Sequence, residues 1–396
     1  MELSVIIVSY NVKAYLEQCL RSLERATRSV AAEVWVVDNA SIDGTAAWLP
    51  GAFPWVRLMA LEENLGFARA NNRALAEVRG KYVLFLNPDT LLEEDGLEKC
   101  VAFLERQPDA GALGVRMVNG FGTFLPESKR GMPGVSASLY KMMGLADRYP
   151  KSQRYARYYM GHLPERQTNP VPVLAGAFMM IPRQVLDETG GFDERFFMFG
   201  EDIDLSYRIR QTGRNNYYFP ETTIIHFKGQ STDKEEGAYL DHFYGAMTLF
   251  VRKYYRGPWG ALYRGLIQTG IRVQKLKARL RPPKPRHFTP QTARKHQFLV
   301  VGSGADTKAF LKEYEVGGEL YIRTIDTDVQ PVSTIRHHQS FTGGLPVLFC
   351  LGGLTFSRVI EWFGRTEDGP PGFFHYMQSD SIIGPGKEWP VPFRRK

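Results

Sequence analysis

Lys81-Tyr-Val-Leu-Phe-Leu-Asn-Pro-Asp89 passes from an almost wholly apolar stretch of strand length into a polar tail that ends on a carboxylate. A strand that is apolar at nearly every position is buried on both faces, as at the centre of a parallel sheet. Toward the N-terminus, Ser4-Val-Ile-Ile-Val-Ser9, Glu33-Val-Trp-Val-Val-Asp38 and Val56 to Leu61 read as further strands. Between them, Leu16, Cys19, Leu20 and Leu23 repeat at i, i+3, i+4 and i+7, the spacing of one helix face. Phe67, Ala70, Ala74, Leu75 and Val78 mark another helix. Strands alternating with helices predict an α/β fold with a mostly parallel central sheet. Ligands of such sheets sit beyond the carboxyl ends of the strands. Those ends carry Asn11, Asp38, Asn64 and Asn87-Pro-Asp89.

Downstream, residues 120–169 are rich in Gly, Arg, Tyr and Met without a clear period, which predicts loops and short helices. Order returns with Val171 to Ile181, a short helix over Arg183 to Thr189, a turn at Gly190-Gly-Phe-Asp193, and a helix from Asp202 to Gln211 closed by Gly213. Arg281-Pro-Pro-Lys-Pro-Arg286 cannot continue a helix and reads as a linker. Beyond it, strands at Phe298–Gly302, Glu319–Ile325, Val347–Leu351 and Gly372–Met377 alternate with helices at Lys308–Tyr314 and Arg358–Phe363. The expected organisation is therefore a domain over 1–238, basic amphipathic helices and a linker over 239–286, and a small α/β domain over 287–396. That last unit opens with Gly302-Ser-Gly304 but has Thr307 where a dinucleotide fingerprint has its third Gly. It reads as a degenerate Rossmann-like domain, structural or partner-binding rather than cofactor-using.

Composition bounds the class. With 396 residues, 43% hydrophobic and 23% charged, the chain is an ordinary globular protein rather than a disordered one. Cys19, Cys100 and Cys350 lie too far apart for a zinc knuckle or disulfide framework, and three unpaired thiols suit a reducing compartment. The first apolar run has no basic flank or cleavage site, so it reads as a buried strand rather than a signal peptide. No stretch reaches the roughly 20 apolar residues that span a bilayer. The expected address is the cytoplasm. The net charge of +8 is local: between Asp241 and Asp306 there is no acid, yet thirteen Lys and Arg. They surround two apolar stripes, Phe243-Met247-Phe250-Tyr254 and Leu262-Leu266-Thr269-Val273-Leu276-Leu280. That pattern favours helices lying on an anionic membrane surface over core helices with a solvated basic face. No nucleic-acid motif accompanies it, so no nucleic-acid partner is expected.

Three groups of residues can carry chemistry. Asp89 can reach a divalent ion, since hard cations prefer oxygen ligands, or it can cap a helix starting near Leu91. Glu201, Asp202 and Asp204 follow the aromatic run Phe196-Phe-Met-Phe-Gly200. Acids in a first helical turn suit the helix dipole. Several carboxylates beside a buried aromatic run also repel one another, so that one of them needs a raised pKa or a cation, which favours a general base. His226, after the strand Thr223-Ile-Ile225, is by itself as consistent with a structural role as with a ligand.

Residues 1 to about 235 resemble glycosyltransferase family 2, the inverting enzymes with the GT-A (nucleotide-diphospho-sugar transferase) fold, and among them the bacterial rhamnosyltransferase-like members. The resemblance is carried by Val5-Ile-Ile-Val-Ser9-Tyr-Asn11, Val37-Asp38-Asn-Ala-Ser41-Ile-Asp43-Gly-Thr45, Asn64-Leu-Gly66-Phe67-Ala68-Arg-Ala-Asn71-Asn72, Leu86-Asn87-Pro-Asp89, Ala175-Gly176-Ala177, Gly190-Gly-Phe192-Asp193-Glu, Gly200-Glu201-Asp202-Ile-Asp204-Leu-Ser-Tyr-Arg208, and His226 with Gly229 and Ser231. It implies that Ser9, Asn11, Asp38, Asn64, Gly66 and Asn87 bind the nucleotide, Asp38 accepting from a pyrimidine ring. It implies that Asp89 with His226 binds Mg²⁺ or Mn²⁺. Asp202 would be the catalytic base supported by Glu201, and Ala175, Gly176 and Asp204 would face the donor or acceptor sugar. The family's metal motif often begins with Asp where this chain has Asn87. The implied activity moves a sugar, with inversion, from a UDP- or dTDP-sugar to a hydroxyl of a polysaccharide or lipid-linked acceptor in cell-surface glycan synthesis. The expected place is the inner face of the plasma membrane, where the protein is peripheral. Two rivals are a nucleotide-sugar-binding scaffold without turnover and a nucleotidyltransferase; the second usually brings a Gly-rich basic triphosphate loop near the N-terminus, which this chain lacks.

Overall fold

The computed structural model describes residues 1–229 except 135, 138–139 and 141–142, and then 236–255, 265, 269, 297–316, 321–327, 347–364, 372–376, 379, 381–384 and 393–395. The first unit is built on a sheet whose parallel half contains β1 (Leu3–Ser9), β2 (Ala32–Asp38), β3 (Val56–Ala60) and β4 (Tyr82–Leu86), joined by helices α1 (Lys13–Ala26), α2 (Thr45–Ala52) and α3 (Gly66–Leu75). Then come β5 (Thr90–Leu91), α4 (Gly96–Arg106), β6 (Ala110–Val118), the short α5 (Leu145–Arg148), β7 (Asn169–Val171), β8 (Phe178–Pro182), α6 (Arg183–Thr189), α7 (Glu201–Gln211) and β9 (Asn215–His226). The strands lie in the order β3-β2-β1-β4-β8-β6-β9-β5, with β7 beside β9. β8 runs antiparallel to β4 and to β6, whereas β6 and β9 are parallel.

Strand periodicity explains why both faces are covered. Along β1, Val5 and Ile7 enter one apolar cluster with Leu16, Leu20 and Leu23 of α1, while Ile6 and Val8 enter the other with Ala70 and Ala74 of α3. Along β4, Leu84 and Leu86 likewise oppose Val83 and Phe85. This is the layered α/β arrangement read from the sequence. One central strand had no sequence signal. β6 reads Ala-Gly-Ala-Leu-Gly-Val-Arg-Met-Val, poor in the residues that favour strands. Its glycines answer to packing: a Cβ on Gly111 would lie 2.3 Å from a methyl of Ile209, and one on Gly114 2.8 Å from Leu174. β9 is also much longer than the short strand expected before His226, twelve residues in all.

α8 (Glu236–Tyr254) opens the basic segment. Phe250 and Tyr254 of the first apolar stripe pack inside the chain: Phe250 lies with Phe196, Phe199 and Ile203, and the Tyr254 ring lies 4.4 Å from that of Tyr207. The second stripe and the proline-rich linker lie outside the described residues, apart from Gly265 and Thr269. Among the described residues no helix is long and apolar enough to cross a membrane.

The C-terminal residues form β10 (Gln297–Gly302), α9 (Gly304–Glu313), β11 (Tyr314–Val316), β12 (Tyr321–Asp326), β13 (Val347–Leu351), α10 (Phe356–Gly364), β14 (Gly372–Tyr376), β15 (Ile382–Ile383) and β16 (Phe393–Arg395). Their main sheet runs β12-β10-β13-β14-β15, parallel through β14. Val301, Phe349, Phe363 and Phe374 share one apolar cluster with Leu91, Val118, Ile225 and Phe227 of the first sheet.

Candidate active site

The carboxyl ends of β1, β2 and β3 are laced together by short polar side chains. Ser9 and Asp38 are register partners, and the Asn39 N–H donates to the Ser9 carbonyl at 2.8 Å. Asn11 Oδ1 accepts from the Ile42 N–H at 2.8 Å, and the Asn11 N–H donates to Ser41 Oγ at 3.0 Å. Asn39 Nδ2 donates to Asn64 Oδ1 at 2.8 Å, which also accepts the Gly66 N–H at 2.9 Å. Asp38 Oδ2 takes the Ser41 N–H at 3.3 Å, but Asp38 Oδ1 and Ser9 Oγ are buried with no partner among the described residues. An unsatisfied buried acceptor costs about 1–3 kcal/mol, which a donor from a bound molecule would offset. Two non-glycine residues with positive φ lie in this lacing, Asn11 at 53° and Ala40 at 63°; Met160, Phe199 and Lys228 also have positive φ. Such backbone strain concentrates at ligand sites. Gly66 serves a different need. Its φ is +78°, and a Cβ there would lie 2.5 Å from the Phe197 carbonyl, which accepts the Phe67 N–H at 2.8 Å. Glycine therefore lets the 196–200 loop close against the start of α3.

At the end of β4 the chain turns, with Thr90 Oγ1 donating to the Asn87 carbonyl at 2.8 Å, and enters β5 rather than a helix. No helix starts near Leu91, so Asp89 does not serve as the N-cap of one there. β5 pairs with β9 so that Thr90 faces His226. That pairing sets His226 Nε2 3.3 Å from Asp89 Oδ1 and 3.3 Å from Asn87 Nδ2. Asp89 is 2% exposed and His226 6%. Adjacent ligands of an octahedral ion held at about 2.0–2.1 Å lie about 3 Å apart, so a carboxylate oxygen and an imidazole nitrogen at this spacing fit one divalent cation. Among the described residues no group of three or more His, Cys, Asp or Glu gathers as a metal cage. Two protein ligands suit an ion that shares its shell with phosphate and water.

The acidic cluster separates into three different environments. Asp202 Oδ2 accepts from Arg130 Nη2 at 2.5 Å and from the Gly176 N–H at 3.1 Å, and Asp202 Oδ1 accepts from the Ile203 N–H at 2.7 Å. A carboxylate has about four lone-pair directions, so these three donors leave room for one more. Glu201 is buried, and burial, followed by the charge of Asp202, pushes its pKa up to about 8. Asp204 departs from the sugar-facing role expected for it. It is 0% exposed, and its oxygens take Arg208 Nε at 2.8 Å, Lys253 Nζ at 2.5 Å and the Tyr254 hydroxyl at 2.7 Å. No surface remains for a sugar; Asp204 instead fastens α8 to α7.

The Asp89–His226 pair and Asp202 are linked through the sheet. The Asn87 N–H donates to the Ala177 carbonyl at 3.0 Å, and the neighbouring Gly176 holds Asp202. Asp89 and Asp202 are thus joined by a short run of contacts at one end of the sheet. Ala175 is buried beside them. Arg130 escaped the sequence reading because it lies in an aperiodic stretch; an isolated antiparallel bridge to Val173 brings it to Asp202. Asn39, the centre of the nucleoside-side lacing, was quoted within a motif but given no role.

A partly unsatisfied polar cradle, an Asp–His pair and a buried acidic cluster thus lie at the carboxyl edge of one mostly parallel sheet, the arrangement of a glycosyltransferase of the GT-A fold. The glycosyl transferase family 2 model matches residues 4–190. The N-acetylglucosaminyl-diphospho-decaprenol L-rhamnosyltransferase of Mycobacterium tuberculosis is 30% identical over 284 residues, covering 69% of this chain and 91% of that protein. Rhamnosyltransferase WbbL of Escherichia coli is 29% identical over 171 residues, 41% of this chain and 61% of WbbL. Among solved structures, Staphylococcus aureus TarS is similar at 19% identity with a TM-score of 0.43, over 68% of this chain and 43% of TarS. The chain belongs to glycosyltransferase family 2 and resembles its rhamnosyltransferases.

Proposed function

We propose that the protein transfers a sugar, with inversion, from a UDP- or dTDP-sugar to a hydroxyl of a lipid-linked or polysaccharide acceptor in cell-surface glycan synthesis. The observation that carries this reading is the contact run from Asp89 through Asn87, Ala177 and Gly176 to Asp202, which supports a cation ligand and a base serving one cleft. The unpartnered Asp38 Oδ1 accepts an N–H of the pyrimidine ring, and Ser9, Asn11 and Asn64 hold the nucleoside around it. Asp89 and His226 hold a divalent ion, Mg²⁺ or Mn²⁺, which when bound supplies positive charge against the departing diphosphate. Asp202, oriented by Arg130 and the Gly176 N–H, takes the proton of the acceptor hydroxyl as that oxygen attacks the anomeric carbon from the face opposite the diphosphate. Glu201, holding its own proton, adds no second charge beside that base.

The lipid-linked acceptor is favoured by the name of the mycobacterial relative, whose acceptor carries a decaprenol diphosphate. The basic segment over 239–286 would keep such an enzyme at an anionic inner membrane face. Thermal-shift screening against UDP- and dTDP-sugars selects the donor, and transfer or donor hydrolysis by the purified chain tests the chemistry. Asp202→Asn should lower turnover by about 10²–10⁴-fold with the fold retained, and Asp89→Ala should remove the response to Mn²⁺. Unchanged rates in both variants would rule out these roles, and nucleotide-sugar binding with no turnover in the wild type would point to a scaffold.

A further inference from the structure

We infer that the C-terminal sheet is a built-in support for the cation-holding pair, with Tyr15 and Phe227 as the positioning residues that carry its docking to Asp89 and His226. The inference rests on the proposed metal role of that pair. Helix α1 is the strut between them. One edge grips the loop that carries Asp89: Cys19 Sγ lies 3.7 Å from the Asn87 carbonyl oxygen and 3.6 Å from Thr90 Oγ1, and Ser22 Oγ accepts the Leu92 N–H at 3.2 Å. Its other edge grips the C-terminal unit. The Tyr15 hydroxyl donates to the Gly384 carbonyl at 3.2 Å, Gln18 Nε2 to Ser379 Oγ at 3.2 Å, and Arg25 Nη2 to the Gly352 carbonyl at 2.6 Å.

The contact is built on both sides. Glu94, three residues past β5, accepts the Phe356 N–H at 2.7 Å, the Ser357 N–H at 2.9 Å and the Ser357 hydroxyl. A carboxylate from the catalytic unit thus caps the first turn of α10, where the helix dipole favours negative charge. Phe227, directly after His226, has its ring 5.5 Å from Tyr15 and 5.4 Å from Phe374 of the C-terminal sheet, and its N–H donates to the Asp89 carbonyl at 3.0 Å. Burial, and then the nearby negative charge of Asp89, push the Tyr15 hydroxyl pKa up.

The Gly302-Ser-Gly304 turn fits the same account. In a parallel sheet of this order a ligand would sit beyond the carboxyl ends of β10 and β13. That edge is taken by the chain itself: Asp306 Oδ2 accepts the Gly353 N–H at 2.8 Å, and the Gly352 carbonyl is held by Arg25. Through Arg25 this edge meets the first unit and serves as its docking edge.

The test uses the full chain with Mn²⁺ as probe, its free aqua-ion signal followed by electron paramagnetic resonance in the presence of UDP or dTDP. Tyr15→Phe keeps the ring and loses the bond to Gly384; Phe227→Leu keeps apolar bulk and loses the ring contacts. Each should weaken Mn²⁺ binding about tenfold, at the low end for groups that orient metal ligands. Nucleotide affinity in EDTA and the circular dichroism spectrum should not change. Asp89→Ala is the reference and should abolish the Mn²⁺ response. Should Asp89→Ala abolish it while Tyr15→Phe leaves it intact, the supporting role is overturned and the metal reading survives. An unaffected Asp89→Ala overturns the metal reading and the inference with it. A Tyr15→Phe loss of nucleotide affinity in EDTA equal to its loss of Mn²⁺ affinity marks a general structural role and also overturns the inference.

Discussion

Replacing Asp204 with Asn separates a structural acid from a substrate-facing one. The carboxylate is fully enclosed and shared by Arg208, Lys253 and Tyr254. Removing one partner of a buried ion pair typically costs about 3–5 kcal/mol, because the remaining charges stay desolvated. Two features reduce that here. Lys253 keeps Asp193 at 2.7 Å, and Arg208 keeps the carbonyls of Thr189 at 2.6 Å and Gly191 at 2.7 Å. A loss of about 2–3 kcal/mol remains. At about 2–4 °C per kcal/mol for a folding unit of 150–250 residues, the melting temperature should fall by roughly 4–12 °C. Urea denaturation and differential scanning calorimetry read this directly, while donor KM measured well below the transition should stay at the wild-type value. Lys253→Met should destabilise as well, and the double variant should lose less than the sum, since both changes break the same pair. An unchanged melting temperature with a raised donor or acceptor KM would refute the argument and return Asp204 to the sugar.

Two further outcomes follow from the same geometry. Gly66→Ala forces a side chain into positive φ and against the Phe197 carbonyl, so it should cost about 1–3 kcal/mol by denaturation and lower kcat through the displaced 196–200 loop. A variant as stable and active as wild type would contradict the close approach. Glu201, whose folded pKa is pushed up to about 8 by burial and by Asp202, holds a proton that the unfolded chain releases in the ordinary carboxylate range. The folded state then binds more protons between about pH 5 and 8, so stability should fall as pH rises through that window. Glu201→Gln should flatten the slope in urea titrations across that range; an identical slope would mean that Glu201 is ionised in the folded chain.

The parallel half of the sheet was legible because its strands are apolar and β-branched and its helices repeat at helical spacing. The polar strand ends were legible for the same reason, since they follow directly from where those strands stop. β6 was not legible. Its small residues answer to the close approach of Ile209 and Leu174, a demand set by tertiary packing rather than by local propensity. Arg130 was hidden in a stretch without periodicity; the bridge to Val173 is what sets it beside Asp202 and the Leu174 carbonyl. Asp204 was misread because its motif places it two residues from Asp202. On a helix, positions i and i+2 point to different sides, so one acid meets Arg130 and the other meets Lys253.

The orientation of a single strand explains how groups more than a hundred residues apart come to share one edge. β4 ends at Leu86, and its register partner Phe178 begins β8. Because these strands run antiparallel, the residues just after one and just before the other fall at the same end of the sheet. Asn87 and Asp89 therefore meet Ala177 and Gly176, and Gly176 holds Asp202 at the start of α7. Had β8 run parallel to β4, its leading residues would lie at the amino edge, a strand length away from the polar ends of β1 and β2. The reversal that breaks the parallel pattern after β4 is thus what brings Asp202, the proposed base, to the same edge as Asp89, the proposed cation ligand. β9 extends the logic: its far end, not its start, reaches β5, and so delivers His226 rather than Asn215 to Asp89.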